Sequence, residues 1–292
     1  MEATQIIRNP WNRRIAVITT ATLLVFAGVI VDIALTSTSI SPSTVVSIPN
    51  TTGTQPPPYP IGVTNKAEAS GMGPPGAAAM PGYKMTYSTN FPGRKVPAGW
   101  IIYHGEPMSD PGAQFGSAHV AVRNGMLELN TWRDPHYQNR WVTGGLCQCG
   151  VAKRYGAYFV RSRITGGGAS AVQLLWPQTN DWPPEVDFNE TGGQIASTSA
   201  TVHYGPTNAI YQSELSINML AWHTWGVIWT PSSITYTVDG VVWATVSTRS
   251  AQIPDVPMHL ALQQQTWCQE GRLCPAAPVS MLVNWVTEYQ AN

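Results

Sequence analysis

Three carboxylates fall within six residues of the stretch WPPEVDFNETGG (Trp182 to Gly193): Glu185, Asp187 and Glu190. Only 11% of the 292-residue chain is charged, so such a concentration asks for a use. Val186 and Phe188 alternate with Glu185 and Asp187, which reads as a strand carrying both acids on one face. Glu190 stands five positions after Glu185, and a regular strand would turn it to the other face. One extra residue, a β-bulge at Phe188–Asn189, returns it. The two Glu backbones are then four strand steps of about 3.3 Å apart, roughly 13 Å. Side chains leaning together narrow that gap towards the ~5–5.5 Å at which two carboxyls can act as nucleophile and acid/base in retaining glycoside chemistry. A solvated strand edge is the plainer reading, but the apolar alternation on the opposite face weighs against it. Calcium is another, yet a flat sheet face presents carboxylates poorly for its six-to-eight-oxygen cage. No metal and no cofactor are expected.

The elements that must position these acids are strands. From about Tyr83, short alternating segments recur between Gly, Pro, Asn and Asp. HVAVRNGMLELNTW predicts two strands around the hairpin turn Asn124-Gly125. In GAYFVRSRIT, Tyr158, Val160 and Ser162 oppose Phe159, Arg161 and Arg163. HTWGVIWTPSSITYTVDGVVWATV predicts three strands with turns at Pro231-Ser232 and Asp239-Gly240; Trp225 and Trp229 pack its core side. VSMLVNWVTEY closes the chain. No amphipathic helix and no internal repeat is visible, and 26 Gly with 24 Pro fit many turns. An antiparallel sandwich or barrel follows. Sixteen basic residues balance sixteen acidic ones without a basic tract, which excludes the electrostatic footprint of a nucleic-acid partner. Twelve Trp and eleven Tyr against five Phe suit a wet binding face.

The first 82 residues differ in texture. Residues 15–35, IAVITTATLLVFAGVIVDIAL, are long enough to span a bilayer core and are broken only by Asp32. Arg8, Arg13 and Arg14 precede them, and the next basic residue is Lys66, so residues 1–14 are expected to be a short cytoplasmic tail. A cleaved secretory signal is the alternative; the length of the run and the want of a clean A-x-A site favour an uncleaved signal-anchor. Residues 36–82, rich in Pro, Ser, Thr and Gly, read as a disordered linker that buries no core. The expectation is a single-pass protein of the cell membrane with an extracellular, monomeric domain over 83–292.

Export makes disulfides the expected state of Cys147, Cys149, Cys268 and Cys274. Cysteines separated by one residue rarely pair, which favours two cross-links between the 147–149 and 268–274 loops; a local Cys268–Cys274 bridge stays open. Zinc is disfavoured, since C-x-C with C-x5-C is poor ligand spacing and no His lies nearby in sequence.

EVDFNE resembles the bulged E-x-D-x-x-E signature of glycoside hydrolase family 16, the laminarinase, lichenase and agarase group. TNFPGRKVPAGW, RYGAYFVRSRI, LLWPQTNDWPPEVDF, WHTWGVIWTPSSITYTVDG and VNWVTEYQ are similar, in order, to further family segments, so the resemblance runs over about 83–292. It implies an antiparallel jelly-roll β-sandwich with a concave sheet that binds an extended polysaccharide. It implies Glu185 as nucleophile, Glu190 as general acid/base and Asp187 between them, keeping their protonation states apart; a negative neighbour raises the pKa of Glu190. Trp182, His203 and Gln263 are the implied sugar contacts; Gln265 shares the face of Gln263, and Trp267 is read as a rim. Pro184 replaces the usual Gly before the first Glu, and the polar Asn189 occupies the bulge. The implied activity is retaining endo-hydrolysis of a β-1,3- or β-1,3/1,4-glucan, with a galactan behind. Envelope-glycan transglycosylation and a non-catalytic lectin-like module are the alternatives.

Overall fold

The computed structural model describes residues 58–107, 112–271 and 274–292. The tail and the apolar run at 15–35 lie outside them, as does the linker up to residue 57. Among the described residues no helix is long and apolar enough to cross a membrane.

Two antiparallel sheets form a β-sandwich. The seven-stranded sheet runs, in spatial order, Ala209–Ser216, Ser197–Tyr204, Glu185–Glu190, Ser170–Pro177, Met258–Gln265, Gly145–Cys147 and Ile101–Ile102. The nine-stranded sheet is built around Gly156–Ile164 and the long closing strand Val279–Ala291, which pair with each other. The turn residues act as predicted. Asn124 and Gly125 take φ of 54° and 67°, the left-handed pair that a two-residue hairpin needs, and join Val120–Arg123 to Met126–Asp134. His223–Trp229, Ser233–Val238 and Val241–Ser247 follow the three-strand reading.

The main core lies between the inner faces. Val186, Phe188, Leu175 and Leu260 from one sheet meet Tyr158, Val160, Trp225 and Trp229 from the other in one buried cluster. The alternation of each strand sends the intervening residues outward, so burying Val186 and Phe188 is what turns the acids to the outer face.

The folded part begins before Tyr83, which corrects the linker boundary. Residues 58–82 lie along the outer face of the nine-stranded sheet, where Met80 joins Phe159, Ile228, Trp285 and Tyr289 in a second buried cluster with Tyr59 packed against it. Thr224 Oγ1 donates to Ile61 O (2.9 Å), Trp285 Nε1 to Met72 O (3.1 Å) and Tyr289 OH to Gly76 O (3.0 Å). Arg161 Nε donates to Ser70 Oγ (2.9 Å), and Asn284 Nδ2 to Glu68 Oε2 (2.9 Å). The segment has no periodicity because much of what it offers is backbone carbonyl, which any sequence supplies.

The disulfides are also corrected. Cys147 pairs with Cys149 and Cys268 with Cys274, each with Cα atoms 5.1 Å apart. No bridge joins the two loops. Chain-entropy reasoning gives about 2 kcal/mol for loops this short, against about 5 for a bridge from 147 to 268.

A chain beginning at Tyr83 should therefore melt well below one beginning at Pro58. Its four lost donor–carbonyl or donor–hydroxyl bonds alone contribute ~0.5–1.5 kcal/mol each, and the second cluster is uncovered besides. Equal melting temperatures for the two chains would contradict the docking of residues 58–82.

Candidate active site

The acids sit where the strand register changes. Along the neighbouring strand Ser197–Tyr204, Glu185 faces His203, Val186 faces Val202 and Asp187 faces Thr201, but Glu190 faces Ser199. Three steps on the acid strand thus match two on its neighbour, which is the bulge at Phe188–Asn189. The strand on the other side shows the same shift, with Leu174 opposite Asp187 and Gln173 opposite Asn189. Asn189 is buried within the bulge and accepts the Thr198 hydroxyl (2.7 Å), so its polarity carries no unpaired acceptor. Cis peptide bonds at Trp182-Pro183 and Pro183-Pro184 lead into Glu185.

Cross-strand rows place the surroundings. Glu185 lies beside His203, and Glu190 beside Val172, which in turn faces Gln263. Between and beyond them, Val172, Leu174, Ala261 and Cys147 form a small apolar floor, with Tyr103 and Trp176 packed against it. The Tyr103 ring lies over Gly145, where a Cβ would come within 2.7 Å of it.

Electrostatically the three carboxyls are unequal. Burial, and then the charge of Glu190, pushes Glu185 up to about 7, while hydrogen bonds from Trp182 and Asp187 pull it back. Asp187 is 2% exposed, and burial, followed by the charges of Glu185 and Glu190, holds it well above the usual carboxylate range. Asp187 and Glu185 are hydrogen-bonded to each other. Trp182 Nε1 gives Glu185 Oε2 a second hydrogen bond, 2.7 Å long. Burial lowers the pKa of His203, opposed by its hydrogen bond to Asn208. Its Nδ1 donates to Asn208 Oδ1 (2.9 Å), and its Nε2 stands 3.6 Å from Asp187 Oδ2.

The other expected sugar contacts separate. Trp182 is 36% exposed, with its ring 5.6 Å from that of His203, so it offers a face beside Glu185. Gln263 is half-buried on the outer face and donates to Gln265 Oε1 (3.2 Å). Gln265 at 4% and Trp267 at 9% exposure are largely covered, which corrects the expectation of Trp267 as an open rim. Trp225 and Trp229 are core residues as expected. Sequence reasoning missed Tyr103, whose hydroxyl is pushed up by burial and then by the Glu185 charge. It follows a two-residue strand at the far edge of the sheet, where no periodicity marks it.

The sequence model for "Glycosyl hydrolases family 16" matches residues 110–286. The endo-1,3-1,4-beta-glycanases ExsH and EglC of Rhizobium meliloti are 33% and 32% identical over 104 residues, which is 34% of this chain and 22% of each of them. The chain thus matches about a fifth of the length of these curated relatives. Among solved structures, the endo-beta-1,3-glucanase of Pyrococcus furiosus superposes with a TM-score of 0.62 at 19% identity, covering 71% of this chain and 94% of that one. The laminarinase catalytic domain of Thermotoga petrophila gives 0.63 at 16% identity, covering 72% and 98%. The match of more than half of the sequence, together with a shared sandwich, establishes that this chain belongs to glycosyl hydrolases family 16.

Proposed function

We propose that the protein is a retaining endo-β-glucanase acting on a neutral polysaccharide, a β-1,3- or β-1,3/1,4-glucan. The observation that carries this is the bulged strand that brings Glu185, Asp187 and Glu190 to one face, with Asp187 bonded to Glu185. The curated relatives are named as endo-acting β-glycanases and the structural neighbour from Pyrococcus furiosus as an endo-beta-1,3-glucanase, which supports a β-glucan. Charge supports a neutral chain: none of the seven strands behind the face carries Lys or Arg, so a sulfated or uronic glycan would meet only acids there. The apolar floor suits the C–H faces of a sugar. Residues 15–35 are proposed to tether this activity to the outside of the cell membrane.

In this reading, the Glu185 carboxylate attacks the anomeric carbon while Glu190 donates its proton to the departing oxygen. Glu190 then takes a proton from water as the water oxygen attacks the anomeric carbon; the bond to Glu185 breaks, and the sugar leaves with its original configuration. Asp187 and Trp182 hold Glu185 in line and share its charge. They work through Glu185 and are positioning residues.

Glu185→Gln should abolish turnover of laminarin or lichenan. Glu190→Gln should cost about 10²–10⁴-fold, and azide should restore turnover of a substrate with a good leaving group. Asp187→Asn should be milder than either. An NMR time course must show β product first; α product first, or binding without any turnover, would overturn the proposal.

The pH behaviour follows from the same groups. Glu185 attacks only as a carboxylate, so kcat/KM should fall as pH drops below about 7. Trp182→Phe removes a donor that favours the carboxylate, and should move that acid limb to higher pH; an unmoved limb would sink the role given to Trp182. Stability should run the other way. The folded pKa of Glu185 lies above its ordinary 4.5, so the folded state holds the proton more tightly, and stability is lost as pH rises from 4.5 to about 7. Glu185→Gln cannot ionise there. It should melt above the parent at pH 8, by about 2–4 °C per kcal/mol relieved, and alongside it at pH 4.

A further inference from the structure

The apolar floor of the outer face ends in two sulfur atoms and an imidazole. Cys147 closes the strand Gly145–Cys147 and is bridged to Cys149. His259, 110 positions from Cys149 in sequence, arrives on the strand Met258–Gln265 and brings its Nε2 to 3.8 Å from Cys149 Sγ. The imidazole is held in one tautomer by Gln178. That side chain donates its Nε2 to Cys149 O (3.0 Å), so its Oε1, 3.2 Å from His259 Nδ1, must accept the Nδ1 hydrogen. His259 Nε2 is then a lone-pair donor aimed at the sulfurs. All three atoms lie within 4.8 Å of one another. As a staple, a bridge across two positions contributes less than half of what one between distant loops would.

We propose that Cys147, Cys149 and His259 form a binding site for a thiophilic divalent cation of the zinc type once the Cys147–Cys149 bridge is reduced. A dithiol reductant supplies the two electrons: its thiols become a cyclic disulfide, and the S–S bond of the bridge becomes two thiols. The incoming cation displaces both thiol protons to solvent and binds two thiolates and the Nε2 lone pair. Tetrahedral coordination at Zn–S ≈ 2.3 Å and Zn–N ≈ 2.0 Å places ligand atoms about 3.5–3.8 Å apart. The sulfur-to-nitrogen separation in that geometry is about 3.5 Å, and Cys149 Sγ stands 3.8 Å from His259 Nε2, so only a small approach is needed. Gln178 is the outer hydrogen-bond partner that such a histidine ligand requires.

Cys147 faces Ala261, Ala261 faces Leu174 and Leu174 faces Asp187, so the site lies in the same cross-strand row as the acids. Three strand spacings put it about 14 Å from Asp187. A cation held there would occupy floor on which a glycan is proposed to lie. That consequence rests on the glucanase reading; the binding does not.

The test is a Co²⁺ titration of the full chain carrying Cys268→Ser and Cys274→Ser, reduced with a dithiol that is then removed. One equivalent should bind with thiolate-to-cobalt charge transfer and the strong visible bands of tetrahedral Co²⁺, and reoxidation should expel it. Gln178→Ala should weaken binding about 10–100-fold, and His259→Ala should weaken it further. If the double serine variant does not fold, the same titration of the parent chain against His259→Ala decides the matter. No stoichiometric binding by reduced protein of native near-ultraviolet dichroism would overturn the proposal, as would equal affinity in parent and His259→Ala. No glycan is present in the titration, so failure of the hydrolase reading would leave its result unchanged.

Discussion

One extra residue in one strand is the constraint on which the site depends. The strand Glu185–Glu190 must send Val186 and Phe188 into the sandwich, and both are wholly buried there. A strict two-residue period would then place Glu190 in the core as a bare carboxylate, at a cost of several kcal/mol. The bulge lets the inner face keep its apolar pair and the outer face gain a third acid. Asn189 is the residue caught in the irregularity, and the Thr198 hydroxyl satisfies it. Core packing and acid placement are thus two results of one register shift.

The outer face accepts an electrostatic penalty for this arrangement. Burial opposes charge on both Glu185 and Asp187, and each is further opposed by its neighbours. Asp187 hydrogen-bonds with Glu185, and the Trp182 indole donates to the same carboxyl. The site is ordered by hydrogen bonds that converge on the Glu185 carboxyl.

Much of this was legible in the sequence, for physical reasons. Alternation reports which face of a strand is buried, so the strands around Tyr158, Trp225 and Val186 could be read directly. Asn124-Gly125 and Asp239-Gly240 announce their turns because left-handed φ admits few residues. The bulge was legible because three acids and two apolar residues admit no regular register. What escaped reading were contacts without local pattern. Residues 58–82 dock largely through carbonyl oxygens such as Ile61 O and Gly76 O, which composition cannot reveal. Tyr103 and His259 reach the outer face from distant strands, and only the strand order brings them to it. The cysteines pair locally, against the rarity of C-x-C bridges that pointed elsewhere.

The docking of residues 58–82 also gives the sandwich a front and a back. The chain enters the fold along the outer face of the nine-stranded sheet, and the acids look outward from the opposite sheet. Pro58, the first described residue, therefore belongs to the back, next to Tyr59. A surface, a bead or a fused partner coupled through that end would leave the reactive face turned away from its support, open to a polymer too large to diffuse between the two.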